Sequence, residues 1–407
     1  MTWTTTRLKF LAAVPIRNGI GEAGTQDDPS WPRYIRTTDI AGPRTLRDDM
    51  FASLPPEIAA EAPVTYNDLL MSAAGSVGKT ILYVADGPAC YAGYLVRFRA
   101  KADVDPRFVA YWTETPLFLD QIEVGKVRST IDNFSAGKYQ NLRLSVPSLA
   151  VQSLIADYLD VETARIDALV EKKRRLVDLV NLRFRSLVMR LIFKDTSRQW
   201  VSLSRLCHCL PGFAFSSDDF VTDQQGGVRL LRGANVSPGS LRWDEVVYLP
   251  RGKITNRHQP YALEEGDIVL GMDRPLIGTG MRVASVTIAD LPALLVQRVA
   301  RLRANELSTN EFLGFLLQSD AFAAYFTPIT TGVSVPHISE EQILAFRVPF
   351  LSHDEQSQVV QQLAVAKGRH AAATKALNRQ IVLVGEHRQA LITAAVAGEL
   401  DIPGVAA

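Results

Sequence analysis

Cysteine is scarce in this chain, with three in 407 residues, Cys90, Cys207 and Cys209. So few cannot build a disulfide framework, and they suit a reducing compartment. Cys207-His208-Cys209 has the ligand types of a zinc site, but a closed site needs four ligands, usually as two separated pairs, and no second pair is visible. Long apolar runs are also lacking, and the opening MTWTTTRLKF has no apolar core of a signal peptide. The expectation is a cytoplasmic protein without a membrane span. An excess of one charge is absent too, since 44 Lys and Arg balance 43 Asp and Glu. Any surface for a polyanion must therefore come from local arrangement and not from bulk charge.

What is present is length, enough for two or more domains, and one tempting motif. Ala73 to Thr80, AAGSVGKT, fits the loose phosphate-loop pattern [AG]xxxxGK[ST]. A working phosphate loop opens a helix, whose free N–H groups face the anion. Here Thr80 is followed by Ile81, Leu82, Tyr83 and Val84 and then by the turn pair Asp86-Gly87. A β-branched and aromatic run closed by a turn reads as a strand, so the stretch is strand, glycine-rich turn, strand. A P-loop nucleotide-binding protein is kept as an alternative.

The chain also repeats itself. YIRTTDI at 34–40 matches LLRGANV at 230–236, Asp68 matches Asp267, Val77-Gly78 matches Ile277-Gly278, and Val146-Pro147 matches Val348-Pro349. The offset drifts only from 196 (Tyr34 to Leu230) to 204 (Arg185 to Gln389), which marks a duplicated unit of about 200 residues. In the second copy Thr279 stands where Lys79 stands in the first. If the two loops share one job, that job does not need a phosphate-loop lysine.

Each copy runs into a long helical pattern. The stretch 150–193 has no Gly or Pro, and Ile155, Leu159, Ile166, Leu169, Leu176, Val180 and Leu187 form a stripe with a period near 3.5. Adding 204 gives Val359, Leu363, His370, Ala373, Val384 and Leu391 in the C-terminal stretch. Two such stripes suit an antiparallel pair, or alternatively a seam with a second chain. Lys172-Lys173-Arg174-Arg175 reads either as a phosphate contact or as a solvated face.

These residues carry a resemblance. IADYLDVETARIDALVEKKRRLVDLV resembles the central spacer helix of type I restriction-modification specificity subunits. GFAFSSDDF, LLRGANVSPGSLRW and TTGVSVPHISEEQILAFRVP are similar to segments of their target recognition domains. Glu355-Gln356 before a long helix, with QALITAAVAGEL, is similar to their C-terminal spacer. The first spacer opens Ala150-Val151-Gln152, where that family commonly has an acidic residue before the glutamine.

The resemblance implies an α+β fold, with two target recognition domains (1–149 and 195–351), antiparallel coiled-coil spacer helices (150–194 and 352–400), a tail (401–407) and a pseudo-twofold repeat. It implies a non-catalytic subunit that reads a bipartite sequence in double-stranded DNA, one half-site per domain. Two methyltransferase subunits would dock on it, together with restriction subunits. S-adenosylmethionine, ATP and magnesium are expected in those partners and no cofactor in this chain, which has no adenine-methylase [DN]PP[YF] string and no helicase motif set. A tandem-repeat scaffold without a DNA role is the remaining alternative.

Base reading needs donors and acceptors at groove edges, with Arg or Lys to guanine and Asn or Gln to adenine the commonest pairings. In the first copy the candidates are Lys79, Lys126, Arg128, Ser129, Thr130, Asn133 and Lys138. In the second they are Arg251, Lys253, Asn256, Arg257, Arg274, Ser334 and His337. Arg36 and Arg232 occupy matching repeat positions, which argues for a structural or phosphate role and against base reading.

Overall fold

A computed structural model of the chain describes residues 3–24, 28–125, 133–222, 226–278, 280–330 and 336–404. The chain divides into two compact units, the first made of 1–174 and 378–407 and the second of 175–377. Each therefore takes part of each of two 45-residue helices, Leu149–Phe193 and His353–Ala397.

The glycine-rich turn is a hairpin. Strands Leu69–Ser72 and Thr80–Leu82 pair antiparallel, with Met71 opposite Thr80. Thr80 opens a strand, so the helix N-terminus that a phosphate loop requires is not there. Gly78 at φ 86° takes a left-handed conformation within the turn, where a side chain would be strained.

In the first unit this hairpin belongs to a four-stranded antiparallel sheet ordered Arg17–Asn18, Leu95–Phe98, Leu69–Ser72, Thr80–Leu82. The second unit has the same order in Cys207–Pro211, Val299–Ala304, Ile268–Gly271 and Val283–Ser285. A strand pair closes each unit near its long helices, Thr4–Arg7 with Arg143–Val146 and Trp200–Ser202 with Arg347–Pro349. A parallel pair recurs as well, Arg33–Ile35 with Ala89–Tyr91 and Gly227–Leu231 with Ala293–Leu295. The Cys207-His208-Cys209 run lies on a strand, where alternation turns both thiols inward. Burial pushes the Cys207 and Cys209 thiols up to about 12. Among the described residues no group of three or more His, Cys, Asp or Glu is arranged to hold a metal, and no helix is long and apolar enough to cross a membrane.

The sequence repeats turn out to be the joints of this framework. Asp39 is buried and accepts from the Arg36 backbone N–H at 2.9 Å and from its guanidinium at 3.0 Å. Asn235, also buried, accepts from the Arg232 backbone N–H at 3.0 Å, while the Arg232 guanidinium donates to the Glu245 carbonyl at 2.9 Å. Both arginines are thus engaged in tying a turn. Asp68 accepts two hydrogen bonds of 2.7 Å from Arg99. Asp267 takes the same fork from Arg303.

Each long helix is anchored by a buried glutamine. Gln152 accepts from the Asp105 backbone N–H at 2.9 Å and donates to the Pro147 carbonyl at 2.9 Å. Gln356 donates to the Leu307 and Leu351 carbonyls at 2.8 and 2.9 Å and accepts from Ser308. Val151, in the place of the acidic residue, packs into the core of the first unit. Its counterpart Glu355 accepts from Arg198 at 2.8 Å and from the Ser352 N–H and hydroxyl.

Within the first unit Ile155 and Leu159 share a core with Ile392 and Val396, and Lys173 donates to Gln380 at 2.7 Å. Rising numbers on one helix meet falling numbers on the other, so the halves held in this unit run antiparallel. Within the second unit Val188 and Ile192 share a core with Val359 and Leu363, and His370 bonds Asn181 at 2.8 Å, again antiparallel. Not all of the expected stripe is buried. Leu169 in the first unit and Leu176 in the second remain 42% and 47% exposed, because two helices bury only a narrow seam and leave their flanks in water.

Candidate nucleic-acid interface

The described candidates fall into two groups, those that reach outward and those already engaged within the chain. Lys126, Arg128, Ser129, Thr130 and Ser334 lie outside the described residues. Lys138 is partly buried, with its ammonium 2.7 Å from the Gly125 carbonyl, where it closes a helix C-terminus. Lys79 is partly buried, and its Nζ lies 3.5 Å from the Thr37 carbonyl. Lys253 pairs with Asp219 at 2.9 Å. Arg257 lies over the Phe213 ring and donates to His258 at 3.1 Å. Arg251, Asn256 and Arg274 are exposed.

The structure brings the hairpin loop of each unit against the segment that precedes a short helix. In the first unit Ala74 bridges Asn133, and the Phe134 N–H donates to the Ala73 carbonyl at 2.8 Å. In the second Asp273 bridges His337, and the Ile338 N–H donates to the Met272 carbonyl at 3.0 Å. A third segment completes each corner, since the Ala73 N–H donates to the Tyr94 carbonyl and the Met272 N–H to that of Arg298, both at 2.8 Å. The backbone is the same twice. The side chains differ: Ala74, Tyr94 and Asn133 in one corner, Asp273, Arg298 and His337 in the other.

The second corner is a charged cluster. The Arg298 guanidinium donates to one oxygen of Asp273 at 2.6 Å, and the other oxygen lies 2.6 Å from Nδ1 of His337. Arg282 reaches the Asp273 carbonyl at 2.8 Å. Burial pushes the Asp273 carboxyl up, but the hydrogen bonds from Arg298 and His337 outweigh it and hold the group below the usual carboxylate range. Arg298 and Arg274 both have positive φ, at 69° and 43°. Such angles are uncommon in residues other than glycine and gather at functional sites. Tyr94, Asp273 and Arg298 were not among the residues singled out by composition, although YLVRFRA at 94–100 aligns with RVARLRA at 298–304.

Fold and site together define a class, a tandem α+β protein that presents loop-borne polar groups from two like frameworks and holds two long helices. Sequence relatives of the chain resemble it over part of their length. It is 38% identical over 167 residues to the EcoAI specificity subunit of Escherichia coli, a type I restriction enzyme, across 40% of this chain and 27% of that one. It is 26% identical over 242 residues to the MjaVIII specificity subunit of Methanocaldococcus jannaschii, across 55% of each. The chain thus spans about a quarter to about half of the length of these two relatives. Its fold is shared over 98% of both chains, at 14% identity and a TM-score of 0.76, with a solved chain described under complex assembly and conformational transition of the type I R-M system. No family model matches. The resemblance to type I specificity subunits read from the spacer and head motifs therefore stands.

Proposed function

We propose that this chain is the DNA-reading specificity subunit of a type I restriction-modification complex, with no catalytic chemistry of its own. The observation that carries this reading is the doubled corner, in which one backbone framework is built twice with different outward side chains. Reading two different half-sites calls for that combination, because the framework sets register on the duplex while side chains at base edges specify sequence. In this reading each unit engages one half-site of a split target and the paired helices set the gap. A 45-residue helix rises about 68 Å, close to two turns of B-DNA at roughly 34 Å each.

The half-exposed leucines on the helices, Leu169 in the first unit and Leu179 and Leu182 in the second, offer apolar surface for two methyltransferase subunits. Those partners would supply S-adenosylmethionine and methylate an adenine flipped out of the duplex. Restriction subunits would supply ATP- and magnesium-dependent cleavage. A nucleotide-binding role for this chain loses its support with the hairpin at Lys79.

Mapping methylated adenines in a host that carries this gene with its methyltransferase tests the reading. The expected result is one bipartite motif with a fixed gap, absent when the gene is deleted. A motif that persists without this chain, or one contiguous motif, would refute it.

A further inference from the structure

Comparing the two units position by position separates two kinds of residue. Framework joints keep their chemistry in Asp68–Arg99 beside Asp267–Arg303 and in Gln152 beside Gln356, and Asn235 keeps the backbone N–H bond that Asp39 accepts. The three corner positions keep their backbone contacts and change their chemistry. Ala74 becomes Asp273, Tyr94 becomes Arg298, and Asn133 becomes His337. Because backbone groups hold the corner, its side chains are free to carry different chemistry in the two units.

We propose that Asp273, Arg298 and His337 form a guanine-reading clamp, and that Tyr94 occupies the equivalent reading position of the first unit. This rests on the DNA-reading role proposed above and assigns its specificity in the second unit to named atoms. Arg298 is 63% exposed and His337 51% exposed, so both stand at the surface. Asp273 holds Nη1 of Arg298 and Nδ1 of His337 at 2.6 Å each. A guanidinium held at Nη1 leaves its remaining N–H donors free in one plane, the fork that matches O6 and N7 of guanine. With Nδ1–H of His337 donating to the same carboxylate, Nε2 of the neutral ring is an acceptor, which suits the N4 amino group of the cytosine paired with that guanine. The carboxylate sets their spacing and offsets one positive charge, so the clamp reads a base edge more than it attracts phosphate.

The backbone agrees. Arg274, exposed at φ 43°, follows Asp273 directly and stands where the first unit has Gly75 at φ 74°. A long charged side chain is kept at a position where glycine serves better, which points to a use for the side chain. Tyr94, at 70% exposure, presents an aromatic ring and a hydroxyl from the place of Arg298. The two units would accordingly prefer different bases there.

The test uses the complex of the full chain with its methyltransferase, with methylated adenines mapped genome-wide for the parent, Arg298→Asn and Tyr94→Ala. Asparagine tolerates positive φ, so Arg298→Asn removes the guanidinium without forcing the turn. The expected result is a relaxed preference for one guanine in one half-site, by roughly 5- to 150-fold, the discrimination of a bidentate arginine–guanine contact. The other half-site and the gap stay unchanged, and Tyr94→Ala alters that other half-site instead. If Arg298→Asn does not fold, Arg298→Lys, which keeps a cation beside Asp273 and loses the planar fork, serves the same test. An unchanged motif, or methylation lowered evenly over all sites, would overturn the clamp and leave the DNA-reading role standing. A parent complex without any bipartite motif would remove both.

Discussion

Replacing Gln152 with leucine tests whether the glutamine at the root of each long helix is the joint that holds helix to head. Gln152 is 1% exposed, and Gln356 is fully buried. Leucine has nearly the same volume, so packing changes little and the loss is polar. The Asp105 N–H and the Pro147 carbonyl, each bonded to Gln152 at 2.9 Å, would lose their partner. A buried group left unsatisfied costs about 1–3 kcal/mol, so two give roughly 2–6 kcal/mol. For a unit of some 200 residues that lowers the melting midpoint by about 4–24 °C. Gln356→Leu strips the Leu307 and Leu351 carbonyls and the Ser308 hydroxyl of theirs, and is expected to cost as much in the second unit. The exposed Gln361→Ala should stay within about 0.5 kcal/mol. Scanning calorimetry of the three variants against the parent decides it. Losses below 1 kcal/mol for both buried glutamines would refute the anchoring argument.

Asp68→Asn and Asp267→Asn each weaken a charged fork to an arginine, and each is expected to cost about 1.5–3 kcal/mol by urea denaturation; a neutral effect in either would break the equivalence of the two joints. The Glu355 carboxyl is held at about 2 against an ordinary 4.5, chiefly by Arg198 and then by the Ser352 N–H and hydroxyl. A depressed pKa adds stability above the ordinary value, which is lost as pH falls toward 2. The gap between parent and Glu355→Ala should therefore be largest above pH 5 and shrink toward pH 2, modestly so because the side chain is 41% exposed; a gap that does not depend on pH contradicts this. Neither the parent nor Lys79→Ala should bind ATP in equilibrium dialysis, and tight binding that depends on Lys79 would revive the phosphate-loop alternative.

Much of the framework was legible because it depends on local chemistry that appears twice. The strand reading of 69–84 follows from β-branched residues after the glycines, and hydrophobic period alone marks both long helices. Arg36 and Arg232 could be set aside as base readers because the same residue stands at the same place in both copies. The corner was harder to see. Its three segments are distant in sequence, and backbone bridges such as Asp273 to His337 bring them together, which no local pattern encodes. Charge counting favoured Lys138 and Lys253, yet Gly125 and Asp219 engage them, because a cation's partner depends on what folds beside it. Arg298 gave a usable signal in its alignment with Tyr94, where an exchange of residue type in the turn just before a matched strand marks a position free to vary.

The central claim is that helix length sets the distance between two half-sites. Four residues inserted after Lys173 and four after Arg379, beside the Lys173–Gln380 hydrogen bond, lengthen both helices by about 6 Å and keep their faces aligned to within about 40°. Mapped methylated adenines should show the same two half-sites with a gap wider by roughly two base pairs. Half-sites that keep the parental gap in a folded, active complex would contradict the account.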